Sequence, residues 1–360
     1  MKIIITADVH LGRQGRLRDC VWALRAMREY ALEHEIDVVV IAGDLFHDRV
    51  SINIEVGNAA IDFLREAKQE YGQDWVIFPG NHDMFLKNSW DSNSLKFVGD
   101  YATLVGEIGI VEIYGHRFWI LPFIHYEKVF MKALRTIEEH HQEGDVLLTH
   151  IGTHDATINM CFLCKHWSLV SFANSKFDRI YSGHFHCHQQ VGTNMWYPGS
   201  PIPFNFDEGL MEHGFFVYDL ETRDHEFVNI RDAGLLLDET PAIDFITIGD
   251  DDLDKTVPEN AKVRLHLGQN QTDDEYEKIK ARLIEGGAVS VARMKLQEED
   301  VQIDEEKIGT IDVADEFSLV SLYYDHDKPV GISKSVLKEL NKVIVKKSQA
   351  ILDDGEAAYL

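Results

Sequence analysis

The fold is decided by the stretch IIITADVH, residues 3–10, in which an apolar run stops at an aspartate and a histidine. Four further runs follow the same pattern: VVVIAGD (38–44), WVIFPGNHD (75–83), VLLTH (146–150) and IYSGHFH (180–186). Short, β-branched runs of this kind are typical of strands that are buried on both faces. Five predicted strands therefore end at residue types that bind metals.

Helical periodicity occupies the sequence between these strands. The residues Leu17, Cys20, Val21, Leu24, Met27 and Ala31 are three or four positions apart, which predicts a helix with one apolar face. Alternating strands and helices predict a layered α/β domain. In such sheets ligands gather beyond the carboxyl ends of the strands, where these polar residues fall.

The strand ends supply carboxylate, amide and imidazole groups, which together suit borderline or hard divalent metals. A single histidine at a strand end would more often be a hydrogen-bonding residue, but here five strand ends repeat the pattern. Seven candidate ligands are too many for one catalytic zinc. They suffice for two metals about 3.5 to 4 Å apart, the arrangement that attacks phosphate esters. The candidates are Asp8, His10, Asp44, Asn81, His150, His184 and His186.

Composition limits the class of protein. The 360 residues are 45% hydrophobic and 27% charged, as in a folded chain with one large domain and a smaller appendage, and unlike a disordered or collagen-like chain. Neither a run of about 20 apolar residues nor a signal-peptide pattern is found, so we expect no membrane span and a cytoplasmic location, in the host if the source is viral. The lone pair Cys161 and Cys164 favours idle or buried thiols over a zinc site, which normally has a second pair.

Charge argues against a polyanion as partner, because the net charge of −26 repels one at long range. Residues 1–230 contain 19 basic and 32 acidic residues, and residues 231–360 contain 16 and 29. The second part is therefore nearly twice as acidic per residue, which supports a domain boundary near residue 230.

The five motifs together resemble those of the calcineurin-like metallophosphoesterases: DVH (8–10), GD (43–44), GNHD (80–83), His150 and GHFH (183–186). Within that superfamily, GDLFHDR (43–49) and YPGSPIPFNFDE (197–208) resemble the SbcD-type exonuclease subunits of DNA double-strand-break repair and their phage recombination endonuclease counterparts. The resemblance implies a layered β-sandwich flanked by helices over residues 1–230. It also implies a metal-dependent DNA exonuclease and endonuclease that acts on double-stranded DNA ends.

The same resemblance assigns roles to the candidate residues. Asp8, His10 and His186 would hold one metal, Asn81, His150 and His184 would hold the other, and Asp44 would bridge them. The metals would be two divalent ions, Mn²⁺ in the first place and Mg²⁺ as the alternative. His82 would be the catalytic histidine at the leaving oxygen, Asp83 would orient it, and His47 would contact the sugar-phosphate backbone. Independently of the resemblance, Arg13, Arg16 and Arg18 cluster just after the first motif and could contact DNA phosphates, although a solvated helix face explains each of them equally well.

The second part of the chain reads as a small α/β module. Val263, Leu265 and Leu267 alternate with polar residues as in a strand, and a Thr-x-x-Glu signal opens a helix over 272–284. The resemblance implies a capping domain here, residues 231–310. A linker, 311–332, would lead to a basic amphipathic helix, 333–350, that binds an SbcC-type coiled-coil ATPase through Val336, Leu337, Leu340, Val343 and Ile344. A terminal helix docked on its own domain is the alternative.

The resemblance further implies a homodimer through helices after the second and third motifs, where Ile54, Ile61, Phe63, Leu64, Trp90, Leu95, Phe97 and Val98 could contribute to an interface or to the core.

Three rival functions compete with the nuclease. A protein phosphatase of the same fold usually carries GDxVDRG and GNHE, from which this chain departs. A DNA-end scaffold with a degenerate site conflicts with the complete ligand set. A small-molecule or cyclic-nucleotide phosphodiesterase shares GNHD and remains the alternative.

Overall fold

The computed structural model describes residues 1–13, 15–86, 89–153, 156–159, 162–163, 175–267 and 272–295. All of them belong to one compact unit, Met1–Gln297. The predicted linker, the predicted partner-binding helix, Cys161 and Cys164 lie outside the described residues. Cys20 and Cys187 are buried.

Two six-stranded sheets form the main body. The first has the order β16-β15-β1-β2-β3-β6, with strands numbered along the chain. Its members are β1 (Lys2–Thr6), β2 (Val38–Ala42), β3 (Asp74–Phe78), β6 (Thr103–Leu104), β15 (Gly214–Asp219) and β16 (His225–Asn229). Strands β1, β2, β3 and β6 are parallel, and β15 and β16 pair antiparallel at one side. The carboxyl ends of β1, β2 and β3 therefore meet at one edge.

The second sheet has the order β13-β14-β12-β9-β8-β7. Its members are β7 (Gly109–Ile113), β8 (His116–Leu121), β9 (Val146–His150), β12 (Ile180–Gly183), β13 (Gln189–Val191) and β14 (Met195–Tyr197). Strands β9 and β12 are parallel neighbours, so His150 and the residues after Gly183 also emerge together. Two hairpins complete the sandwich: β4 (Met84–Leu86) with β5 (Ser89–Asn93), and β10 (Thr157–Asn159) with β11 (Phe162–Leu163).

Alternation along the strands produces a four-layer sandwich. In β1, Ile3 and Ile5 face the second sheet, where they share a core with Phe118 and Leu148. Ile4 faces the opposite way, into a core with the helices α1 (Leu17–Glu33) and α2 (Ile54–Gln69). Helix α3 (Glu127–Glu139) covers the outer face of the second sheet. The predicted layered α/β fold, with a β-sandwich flanked by helices, is confirmed.

A small module follows the sandwich. Its three parallel strands, β17 (Asp244–Gly249), β18 (Ala261–Leu267) and β19 (Ala288–Lys295), pack on helix α5 (Asp273–Glu285). Thr272 caps α5 in the predicted capping box, since its side chain accepts from the Glu275 amide and the Glu275 carboxylate accepts from the Thr272 amide. The short helix α4 (Ile230–Gly234) and Ala242 belong to the core of the sandwich, so the module itself is formed by residues 244–295.

Arg16 joins the sandwich to this module. Its side chain is 5% exposed, pairs with Asp19, and donates to the carbonyl oxygens of Pro203 (2.9 Å) and Ile243 (3.0 Å). All three contacts lie inside the protein, and removing one member of a buried ion pair is costly. The prediction that Arg16 contacts DNA is therefore wrong, because all three of its guanidinium nitrogens make contacts within the protein.

No helix in the described part of the chain combines the length and apolarity that crossing a bilayer requires.

Candidate metal centre

The first group of candidate ligands closes around the end of β1. The Nε2 atoms of His10 and His186 are 3.0 Å apart, and the His10 Nε2 atom lies 3.9 Å from a carboxylate oxygen of Asp8. Potential ligand atoms of Asp8, His10 and His186 all lie within 4.8 Å of one another. These are the three residues predicted to hold one metal.

The second group lies beside the first. The Asn81 side-chain oxygen is 3.0 Å from the Nε2 atom of His150 and 2.9 Å from the Nδ1 atom of His184. Asp44 lies between the groups, since one carboxylate oxygen is 3.3 Å from the His150 Nε2 atom and 3.8 Å from the His10 Nε2 atom. All seven predicted ligands thus converge at the edge where the strands of both sheets end, and we call them the metal centre.

The donor atoms of the metal centre fit cations. The Nδ1 atom of His150 donates to the Ala42 carbonyl oxygen at 2.8 Å, so in the neutral ring the Nε2 lone pair faces the oxygens of Asn81 and Asp44. Lone pairs at such distances repel one another unless a proton or a metal lies between them. Asp8 and Asp44 are 0% and 2% exposed, and neither pairs with a lysine or arginine among the described residues. Two buried anions of this kind require positive charge nearby.

The pKa values of the metal centre reflect this enclosed charge. Burial raises the pKa of the Asp8 carboxyl to about 6. Burial also opposes ionisation of Asp44, but the charge and hydrogen bond of His150 hold the Asp44 pKa well below its usual range. For His150 burial lowers the pKa, and the Asp44 carboxylate outweighs it to raise that pKa to about 9. The Asp44 carboxylate therefore stays ionised beside His150, where positive charge is stabilised.

The backbone around the metal centre is strained. Asp8, His10 and Asp44 have φ values of 54°, 50° and 56°, and His184 has a φ of 106°, in a region that residues with side chains rarely adopt. Such strain concentrates at functional sites because the surrounding structure must enforce it. Gly80 shows how tightly this is done, since a Cβ atom there would lie 2.3 Å from a carboxylate oxygen of Asp44. Only glycine at position 80 therefore lets this loop lie directly against Asp44.

His82 and His47 stand beside the metal centre. Their rings stack with centroids 5.3 Å apart, and the His47 Nδ1 atom lies 3.4 Å from that of His10. The Nδ1 atom of His82 donates to the His47 carbonyl oxygen at 2.6 Å, which leaves its Nε2 atom for proton exchange. Burial lowers the pKa of both rings.

Asp83 does not orient His82 as predicted. It is fully buried, and its carboxylate accepts from the backbone amides of Asp44, Leu45, Phe46 and Gly80 at 2.7 to 3.3 Å. This network ties the loop after β2 to the loop after β3. The residue that orients His82 is His47, through its carbonyl oxygen, and the function of Asp83 is to hold the strained loops in place.

The remaining predicted arginines lie in different places. Arg13 reaches the metal centre: one guanidinium nitrogen is 3.5 Å from the His186 Nδ1 atom, and its guanidinium carbon is 4.4 Å from the Phe204 ring centroid. Arg18 is half-exposed on the outer side of α1 and donates to the Thr240 carbonyl oxygen. Of the predicted DNA contacts, Arg13 is the one that lies at the entrance of the site.

Glu208 belongs to the site, although it is not among the residues predicted from the sequence. Its carboxylate accepts from the Nδ1 atom of His186 at 3.0 Å and from the Phe204 amide at 2.8 Å. Although burial opposes ionisation, the hydrogen bond from His186 lowers the Glu208 pKa. A carboxylate on the far nitrogen fixes the ring and keeps the Nε2 atom free for a metal. The sequence signal that could have indicated this role is the acidic end of FNFDE (204–208), where Glu208 follows two phenylalanines.

The fold and site define a metallophosphoesterase, and comparisons with known proteins agree. The profile of the family described as "Calcineurin-like phosphoesterase" matches residues 1–188. A protein of Invertebrate iridescent virus 6 that is named as phosphoesterase 244L is 28% identical over 192 residues, covering 49% of this chain and 62% of the viral protein. Exonuclease subunit 1 of Enterobacteria phage T4 is 25% identical over 255 residues, covering 63% of this chain and 67% of the phage protein.

The SbcD subunit of the nuclease SbcCD from Staphylococcus epidermidis is 23% identical over 254 residues, covering 61% of this chain and 66% of that protein. The chain thus spans half to two thirds of the curated relatives it matches. It belongs to the calcineurin-like phosphoesterase family.

Replacing Glu208 tests its part in the metal centre. The Glu208→Gln variant loses the charge that fixes His186, so the affinity for Mn²⁺, used as the probe, should fall about 10- to 100-fold. Titration calorimetry at fixed pH measures this. Glu212→Gln, the same change at an exposed neighbour, should bind like the wild type. Equal affinities for all three proteins would refute a role for Glu208.

Proposed function

We propose that this protein is a two-metal DNA exonuclease and endonuclease subunit that hydrolyses phosphodiester bonds at DNA ends during repair or recombination. The observation that carries the proposal is the convergence of seven ligands with His82 and Arg13 at one edge of the sandwich. We assign Mn²⁺ to the site, with Mg²⁺ as the alternative, because oxygen and imidazole ligands suit both Mn²⁺ and harder ions.

The residues divide the work of hydrolysis. Two divalent cations held here would neutralise charge on the phosphoryl oxygens and activate water. Asp8, Asp44 and Asn81 fix the positions of the cations, and Glu208 fixes His186. Once its Nε2 atom has taken up a proton from solvent, His82 donates that proton to the leaving oxygen and returns to the neutral ring, while its Nδ1 atom stays bonded to the His47 carbonyl oxygen. Arg13 binds a phosphate at the entrance, and His47 contacts the sugar-phosphate backbone beside it.

DNA is favoured as the substrate over a small phosphodiester. Two curated relatives that carry nuclease names, the phage exonuclease protein and the SbcD protein, match 63% and 61% of this chain. After the sandwich the chain also has the small module, residues 244–295, which a small-molecule phosphodiesterase does not need. We propose that this module, within the predicted segment 231–310, caps the nuclease face and selects how DNA enters.

Cleavage of end-labelled linear double-stranded DNA tests the proposed function. With Mn²⁺ the purified protein should cut, and EDTA or Asp44→Ala should abolish cutting because the metals are lost. His82→Ala should slow it about 10²- to 10⁴-fold, the usual contribution of general acid catalysis. His116→Ala, at an exposed histidine, is the matched control and should cut normally.

One result of this experiment would favour a different function. If DNA stays intact while a simple phosphodiester is turned over with metal, the small-molecule phosphodiesterase takes first place, unless an added ATPase subunit restores DNA cleavage.

We propose an SbcC-type coiled-coil ATPase as partner, bound through the helix predicted at 333–350, and a cytoplasmic location for the complex. Its apolar face, Val336, Leu337, Leu340, Val343 and Ile344, lies outside the described residues, so the proposal rests on the sequence and on the name of the SbcCD relative.

Deleting residues 331–360 tests the partner helix. The deletion should abolish pull-down of the ATPase and spare metal-dependent hydrolysis of a small phosphodiester, since the metal centre lies wholly within 1–208. Loss of both would contradict a dedicated partner helix.

We also propose a homodimer. Among the predicted interface residues, Phe63, Leu64, Leu95 and Val98 are buried in this chain's own core, whereas Ile54 and Phe97 are exposed and available to a second copy. Sedimentation velocity at tens of micromolar should show a dimer, and a monomer would remove this proposal.

A further inference from the structure

A cavity of about 660 Å³ opens beside the metal centre, between the β4–β5 hairpin and the start of α3. Its size falls in the range of sites that hold a nucleoside or a drug-sized molecule. Aromatic side chains line it: Trp90, Phe123, His125 and Tyr126. Apart from Trp90, which is a candidate for the dimer interface, none of these residues has a role assigned above.

The cavity is continuous with the metal centre through Phe123. The Phe123 ring centroid lies 6.2 Å from that of His184 and 6.3 Å from that of His150. The Phe123 amide donates to the Pro79 carbonyl oxygen, and its own carbonyl oxygen accepts from the Trp90 indole at 2.9 Å. The wall of the cavity is thus fastened to the loop that carries Asn81, next to the metal centre.

The charges of the lining select a base rather than a phosphate. Asp91 and Glu107 are acidic, and the one lysine of the lining, Lys96, gives its ammonium group to the Asp91 carbonyl oxygen. A phosphate would be repelled here, whereas a neutral base can stack on the aromatic rings and donate its amino group to a carboxylate. Tyr126 is 57% exposed, so its ring is open for stacking without rearrangement.

We propose that this cavity binds one unpaired nucleobase of the strand being cut, next to the scissile phosphate, with Tyr126 as the stacking residue. The proposal rests on the proposed nuclease function and adds that the substrate enters the site as single-stranded or frayed DNA. A base inside a duplex cannot enter, because its faces are already covered by its neighbours. The cavity thereby makes a recessed or melted end the preferred substrate.

Two substrates and three variants test the cavity. Single-stranded oligonucleotides are prepared with a normal base or with an abasic residue beside the cleavage position. Tyr126→Ala should lower kcat/KM for the normal oligonucleotide about 5- to 100-fold, the usual worth of one aromatic–base stack, and leave the abasic one unchanged. Tyr126→Phe keeps the ring and should behave as the wild type. Tyr114→Ala, at a distant exposed tyrosine, is the matched control.

A binding measurement separates failure of the cavity from failure of the nuclease function. An oligonucleotide with 2-aminopurine at the same position should lose fluorescence on binding to the wild type and to Tyr126→Phe, and not on binding to Tyr126→Ala. Cleavage with no dependence on Tyr126 overturns the cavity alone. Quenching without cleavage overturns the nuclease function alone, and the absence of both overturns both. If Tyr126→Ala instead dissociates a dimer and base dependence is unchanged, a second copy covers the cavity and the proposal falls.

Discussion

Two buried carboxylates, Asp8 and Asp44, impose the constraint on which the rest of the structure depends. Both are almost fully buried, with imidazoles rather than lysines or arginines around them in the described chain. Burying uncompensated charge is costly, so the site must take up protons or divalent cations. The Asp44 carboxylate raises the pKa of His150 to about 9, which shows how strongly the site favours positive charge. Stability and chemistry are thus linked at the same atoms.

Several features of the backbone hold these two carboxylates in place. Left-handed backbone at Asp8, His10 and Asp44 points their side chains inward, and the Asp83 carboxylate fixes the strained loops by accepting four amides. Glycine at position 80 leaves room for Asp44. The parallel order of β1, β2 and β3, and of β9 and β12, brings the motifs together although His10 and His186, for example, are 176 residues apart. The geometry of the site therefore depends on the backbone conformation and the strand order as much as on the side chains.

Much of this could be predicted because the pattern is local. An apolar run that stops at a histidine or aspartate marks both a strand and its functional end, so the layered fold and the seven ligands followed directly. Long-range partners carried no such signal. The burial of Arg16 depends on carbonyls near residues 203 and 243, the role of Asp83 on amides from the loop before it, and the role of Glu208 on a distant histidine. From the sequence, Arg16 is predicted to contact DNA and Asp83 to orient His82, and no role is predicted for Glu208.

The central claim is that seven side chains hold two cations, and anomalous X-ray diffraction from crystals grown with Mn²⁺ tests it most directly. The account predicts two peaks per chain, about 3.5 to 4 Å apart. One should lie beside Asp8, His10 and His186, the other beside Asn81, His150 and His184, with Asp44 touching both. A single peak, or a pair of peaks held by other residues, would contradict it.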